Sequence, residues 1–246
     1  MIIRGSNGSI VDLVQKLMKE DPDAFRFALE EIFYTNPELF EKACPQILDG
    51  QTHLIQKLQF EKFFLPLAIS NAERDDSPMS LIMFDLDNFG DFNKDYGHLM
   101  GDKVIANFSN LLRKSFRSRE RRPYLDLDIR NMRMSDRRKR FSHYDVLSLV
   151  ARVGGGEEFS VIMPRCEEEN AYNAAERALK LTHEMTIPFG NELLRFTASA
   201  GVAQYEKGNT PEEFIDRVDK SLYHSKKTGK NRATKYSDFI SSTAPK

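Results

Sequence analysis

At 246 residues, 40% of them hydrophobic, the chain has room for one ordinary domain with an added segment or for two small domains, with apolar content for a sizeable core. A formal net charge of -1 and a pI near 6.5 give no global electrostatic reason to expect nucleic acid, so any basic contact surface must be local. Its two cysteines, Cys44 and Cys166, sit in no metal-ligand or disulfide spacing, no signal-peptide pattern opens the chain, and no apolar run approaches the roughly 18 residues of a membrane span; a soluble, cytoplasmic protein is expected.

From Ser9 to about Leu48 the pattern is helical, with Ile10, Leu13, Val14, Leu17 and Met18 on one face. Asp21-Pro22 and Asn36-Pro37 each place a capping residue before a proline, so three short amphipathic helices are expected. Thr52 to about Glu73 reads as one longer helix kinked at Pro66, and Asp75-Asp76-Ser77-Pro78 ends it. Met79 to Asp87 then reads as a buried strand with Asp85 and Asp87 at its C-terminal end, where open α/β sheets deliver polar groups to ligands. A turn-rich segment through Phe89, Asn93 and His98 follows, and Gly101-Asp102 opens a helix carrying Val104, Ile105, Phe108, Leu111 and Leu112. Residues 117–143 form an arginine-rich insertion, read as solvated by default, with contact to a phosphate-bearing ligand as the sharper alternative.

Tyr144–Val153 and Glu158–Met163 read as two strands joined by Gly154-Gly155-Gly156, which lead into the adjacent acids Glu157 and Glu158. Alternation along a strand would send these acids to opposite faces. Magnesium, which prefers carboxylate oxygens together with substrate phosphates, would neutralise such a tip; an ordinary solvated hairpin is the plain alternative. Glu167 to Met185 is an amphipathic helix, Leu193 to Tyr205 a strand whose small residues suggest close approach by another element, and Thr210-Pro211-Glu212-Glu213 a strong helix start. A basic loop through Lys226 and Lys230 follows, and residues 239–246 are expected to fray. The order argues for an α/β (α+β) chain with a ferredoxin-like arrangement, a mixed sheet and flanking helices, plus the helical N-terminal segment 1–48.

These residues together resemble the GGDEF family of diguanylate cyclases. Gly155-Gly156-Glu157-Glu158-Phe159 matches the naming motif in its Glu variant. Asp85-Leu86-Asp87, Phe89, Asn93, Gly97-His98 and Gly101-Asp102 match the upstream pattern, and Asp219, Leu222-Tyr223, Lys226, Gly229 and Asn231-Arg232 the closing one. A weakened entry motif stands at Asp49-Gly50-Gln51-Thr52-His53-Leu54, so the resemblance spans about residues 49–236, with the cyclase-like domain placed at 49–238.

The resemblance implies a palm-like fold of the nucleotide-cyclase type in which two protomers, each holding GTP, form cyclic di-GMP and release pyrophosphate. A homodimer is then part of catalysis. The resemblance assigns Asp85, the Leu86 carbonyl and Glu157 to divalent ions, Mg2+ or Mn2+, and Glu158 to completing the metal site or accepting the proton. It assigns the amides around Asn88, Phe89 and Gly90 to the terminal phosphates, Asn93 and Asp102 to the guanine edge, Lys226 and Lys230 to phosphate charge, and Gly155 and Gly156 to the substrate-facing turn.

The chain departs from the pattern at Gly90, where the family usually has Lys, at Lys230, where it prefers Arg, and at the extra Gly154, which a glycine bulge could absorb. Asp145-Val146-Leu147-Ser148 stands where the family's inhibitory Arg-x-x-Asp would be, so no product-inhibition site is expected there; Arg133-Met134-Ser135-Asp136 has the letters at the wrong distance. Besides an active cyclase, a degenerate module that binds GTP or a protein partner remains open. So does nucleotidyl transfer to another substrate, although nucleic acid is not the expected partner.

Overall fold

The computed structural model describes residues 47–116, 148–154 and 156–243. The expected N-terminal helices, the arginine-rich insertion with Arg133 and Asp136, the segment Asp145–Leu147 and Gly155 lie outside the described residues. A six-stranded mixed sheet runs in the order β1 (Ile55–Gln56), β3 (Leu149–Gly154), β4 (Glu158–Pro164), β2 (Met79–Leu86), β7 (Ala198–Gln204), β8 (Ala233–Lys235). β2 lies between β4 and β7 and is antiparallel to both, while β1 and β8 add in parallel to β3 and β7. This central position explains why Met79–Leu86 is a nearly continuous apolar run: both of its faces are covered.

Alternation along β2 divides its side chains between two cores. Ile82, Phe84 and Leu86 join the core under α3 (His98–Phe116) and α4 (Glu168–Glu184), where Phe84, Phe108 and Phe159 meet edge to face. Met79 and Leu81 join the other, under α1 (Leu65–Asp75) and α5 (Pro211–Lys227). Alternation divides β7 in the same way, with Ala198 and Ala200 in the first core and Gly201 facing the second layer. A Cβ at Gly201 would overlap the backbone of Val218 and Leu222, so α5 rests directly on the strand.

Several elements differ from the expectation. The long helix from Thr52 is replaced at its start by β1, because Ile55 is buried and pairs with Ala151; the chain then passes through a helical turn at Lys57–Gln59 and a π-helical segment at Phe60–Phe64 before α1. Pro66 follows directly on the π-helical segment, with Phe64 and Leu65 both in right-handed helical conformation, so the run passes through the proline with a change of helix type rather than an end. The turn-rich segment is a regular helix, α2 (Phe89–Tyr96), and α3 starts at His98 rather than Gly101. The expected strand from Leu193 is split: β5 (Ile187–Phe189) and β6 (Glu192–Leu194) form a separate hairpin, and only Ala198–Gln204 enters the main sheet. Beyond Asp238, where fraying was expected, α6 (Tyr236–Thr243) continues as helix. The start at Thr210 is as expected, with a complete capping box between Thr210 and Glu213.

Candidate active site

β2 and β4 bring the two acidic stretches together. Their register sets Asp85 directly opposite Glu158, and the Leu86 N–H donates to the Glu157 carbonyl at 3.3 Å. Glu157 lies in the turn itself and Glu158 is the first residue of β4. The extra residue is absorbed by a bulge: Arg152 pairs with Phe159 and Gly154 with Glu158, leaving Val153 unpaired between them. Gly154 has a second effect, because a Cβ there would overlap the Glu158 carboxylate, so the glycine leaves space for that acid. Gly156 has φ +103°, a conformation that favours glycine.

Asp85 is only 5% exposed, and Lys226, near the end of α5, places Nζ 2.6 Å from its Oδ2. Burial raises the Asp85 pKa to about 6; Lys226 opposes that rise by hydrogen bond and charge, while Glu158 and Glu157 add to it. The donor chemistry suits a hard divalent cation, since the carboxylates of Asp85, Glu157 and Glu158 supply oxygen. Among the described residues, however, no three such side chains are already gathered as a coordination set, and an ammonium stands against Asp85.

Asp87, the second acid at the end of β2, is a structural anchor. It accepts from Thr197 Oγ1 and Ser199 Oγ, both at 2.7 Å, and from the Asn231 N–H at 3.0 Å, which fastens β7 and the loop after α5 to the end of β2. That loop turns through Lys230 and Asn231, both at positive φ, and Lys230 Nζ hydrogen-bonds Asn88 Oδ1. Asn88 is itself left-handed at φ 55° and leads into α2, so the amides of Phe89 and Gly90 are in a helix's first turn and have no partner within the helix. Phe89 is buried, whereas a Cβ on Gly90 would meet nothing within 4 Å.

Asn93, in α2, and Asp102, in α3, flank the junction of the two helices. Asn93 Oδ1 is buried without a hydrogen-bond partner and lies against Gly101, where a Cβ would overlap it. Asp102 accepts from Gln51 Nε2 at 2.9 Å. Gln51 belongs to a turn built by Asp49, whose Oδ1 accepts from Gln51 N, Thr52 N and Thr52 Oγ1 at 3.2, 2.8 and 2.7 Å. Arg152 reaches the same turn from β3, donating from Nη1 to Asp49 Oδ1 at 3.1 Å and to Gln51 Oε1 at 2.8 Å, and from Nε to the Gly156 carbonyl at 3.1 Å. Burial pushes the Asp49 pKa up, but the Thr52 bonds and Arg152 outweigh it and hold the carboxyl below its ordinary value. Sequence reasoning missed this network; Asp49 three residues before Thr52 is its only local signal, as the start of an Asx-type turn.

Comparison with known proteins agrees with this geometry. The profile of the family described as "Diguanylate cyclase, GGDEF domain" matches residues 46–122 and 142–232. Diguanylate cyclase DgcP of Pseudomonas aeruginosa is 27% identical over 231 residues, covering 92% of this chain and 28% of that protein. Diguanylate cyclase A of Treponema denticola is 27% identical over 210 residues, covering 84% of this chain and 48% of its own. The chain therefore spans less than half the length of these curated relatives. The GGDEF domain of DgcB from Caulobacter crescentus, solved in complex with c-di-GMP, superposes with a TM-score of 0.63 at 26% identity, covering 78% of this chain and 93% of the other. No helix among the described residues is long and apolar enough to cross a membrane. With more than half of its length matched by the family profile and the strand pairing that joins Asp85 to Glu158 in place, the chain belongs to the GGDEF family.

Proposed function

We propose that the chain is an active diguanylate cyclase domain that condenses two GTP into cyclic di-GMP with release of pyrophosphate, across a homodimer in the cytoplasm. The observation that carries this reading is the meeting of Asp85, Glu157 and Glu158 at one sheet end with Lys226 and Lys230 beside them. In each condensation the 3′-hydroxyl of one GTP attacks the α-phosphate of the other, a P–O bond forms, and pyrophosphate leaves. One site holding one GTP cannot complete the ring, which is why a second protomer is required.

Asp85, the Leu86 carbonyl and Glu157 would hold a divalent ion, Mg2+ or Mn2+. Such an ion supplies charge neutralisation for the triphosphate and makes the attacking hydroxyl more acidic. Glu158, in the space left by Gly154, would complete that site or accept the hydroxyl proton. Lys226 would exchange Asp85 for a phosphate, and Lys230 would bring charge to the amides of Asn88, Phe89 and Gly90, which would face the terminal phosphates. Gly155 and Gly156 would face the substrate. Asn93 and Asp102 would read the guanine edge, the carboxylate accepting from the ring N–H and the amino group.

One observation favours a second reading. Gly90 offers no cation where the family usually has lysine, so a module that binds GTP without turning it over is the competitor. Chromatography after incubation with GTP and magnesium, beside a Glu157→Ala, Glu158→Ala double variant, decides between them. Cyclic di-GMP from the unmodified chain alone supports the cyclase. GTP binding by a folded dimer without product supports the module.

A further inference from the structure

We propose that Gln51 is a positioning residue for base recognition, orienting the Asp102 carboxylate and tying it to the glycine hairpin; this rests on the reading of Asp102 as a guanine-reading group. The side-chain amide bridges two charged groups at once. Its Nε2 donates to Asp102 Oδ1 at 2.9 Å and its Oε1 accepts from Arg152 Nη1 at 2.8 Å. These partners come from distant parts of the chain, Asp102 in the second turn of α3 and Arg152 in β3, and Arg152 also donates to the Gly156 carbonyl of the hairpin.

The bridge has a chemical consequence. A carboxylate offers about four lone-pair sites over two oxygens, and one bond from Gln51 to Oδ1 fixes the plane of the group while leaving Oδ2 for an incoming ligand. The neighbouring acceptor, Asn93 Oδ1, is buried with no protein partner and lies against Gly101, the residue before Asp102. Two oxygens without protein donors at the α2–α3 junction suit a flat ligand edge rich in N–H donors, and guanine presents both a ring N–H and an exocyclic amino group there. Hypoxanthine lacks the amino group, so an oriented Asp102 should favour guanine over it.

Arg152 already has a carboxylate partner in Asp49, which three further donors from Gln51 and Thr52 hold in place. The Gln51–Arg152 bond therefore adds little charge balance. It sets the rotamer of Gln51 so that the amide nitrogen, rather than the oxygen, faces Asp102. The orientation of the base site follows from the same arginine that braces the hairpin.

The test is calorimetric binding of the GTP analogue with a methylene group between its α- and β-phosphates, which cannot release pyrophosphate, and of its inosine counterpart. Gln51→Ala should weaken the guanosine analogue by about fivefold to tenfold, the scale of one net hydrogen bond, and the inosine analogue by much less. Gln51→Glu keeps an acceptor for Arg152 but faces Asp102 with a like charge, so it should weaken guanosine binding at least as much. In an Asp102→Ala background Gln51→Ala should have no further effect. Equal losses for both analogues, a loss that persists without Asp102, full binding by Gln51→Glu, or no change in Gln51→Ala would each overturn the proposal while leaving guanine binding intact. Failure of the unmodified chain to bind either analogue would instead overturn the guanine reading, and this proposal with it.

Discussion

Lys226 and Asp85 form an ion pair of 2.6 Å at the point where the two acidic stretches converge. The lysine compensates only part of the cost of holding a buried carboxylate beside two glutamates, since the Asp85 pKa still lies at about 6. The same lysine is the group that the proposed reaction needs on a phosphate, so in that reaction cation binding by Asp85 and phosphate binding by Lys226 would be coupled, each releasing the other.

The raised pKa sets the direction of a pH effect. Between 3.8 and about 6 the native chain binds more protons at Asp85 than the unfolded chain does. Stability therefore falls as pH rises through that window; the penalty is absent below it and full above it. In chelator, Asp85→Asn should melt above the unmodified protein at neutral pH, and the gap should close as pH falls toward about 4. Magnesium should raise the melting temperature of the unmodified protein at neutral pH and not that of the variant. A melting difference independent of pH would show that the carboxyl titrates in its ordinary range.

Gly201 is the closest approach of α5 to the sheet, and no flexible side chain is available to yield there because the overlapping atoms are backbone. Gly201→Ala should cost about 1–3 kcal/mol through overpacking. It should also reduce turnover beyond the loss of folded protein, because α5 carries Lys226. Thermal melts and activity per folded molecule check both; an unchanged melting temperature would mean that the helix can lift without consequence.

How much of this was legible in the sequence depends on whether the signal was local. The run Met79–Leu86 with its terminal acids, the Thr210 capping box and the glycine hairpin are local signals, and each produced the expected element. Ile55–Gln56 lies in a stretch with helical periodicity and is a strand only because β3 offers an edge for it, a tertiary effect. The strand expected from Leu193 breaks into two because its first residues pair with Ile187–Phe189, a partner that alternation cannot name. Likewise, Gln51 and Asp102 are 51 residues apart, and no spacing rule connects them. The acids proposed for the metal were readable as motifs; the network of Gln51, Asp49 and Arg152 was not.

Asp87 provides a check on the anchor at the base of the site. Asp87→Ala would leave the partly buried Thr197, the buried Ser199 and the Asn231 N–H without their shared acceptor, a loss of about 1–3 kcal/mol carried mainly by Ser199. Asp87→Asn keeps one acceptor oxygen and should cost less. Because Asn231 follows Lys230, both variants should weaken nucleotide binding in the same order as they lower the melting temperature. Binding unchanged in Asp87→Ala would detach the loop's position from substrate capture.

Gly90 bears most directly on whether the chain turns GTP over. It lies in the first turn of α2, is exposed, and has open space where a side chain would begin, so Gly90→Lys introduces no clash. The substitution should even favour the helix, since glycine within a helix costs about 0.5–1 kcal/mol relative to alanine. If the chain is an active cyclase that uses Lys230 as its phosphate cation from the opposite side, Gly90→Lys should lower the KM for GTP several-fold and change kcat little, because Lys230 already reaches Asn88. If the missing lysine is what silences the site, the variant should form cyclic di-GMP while the unmodified chain forms none. Steady-state kinetics of both proteins separates these outcomes. A Gly90→Lys variant that binds and reacts no differently from the unmodified chain would remove the α2 N-terminus from the phosphate site altogether.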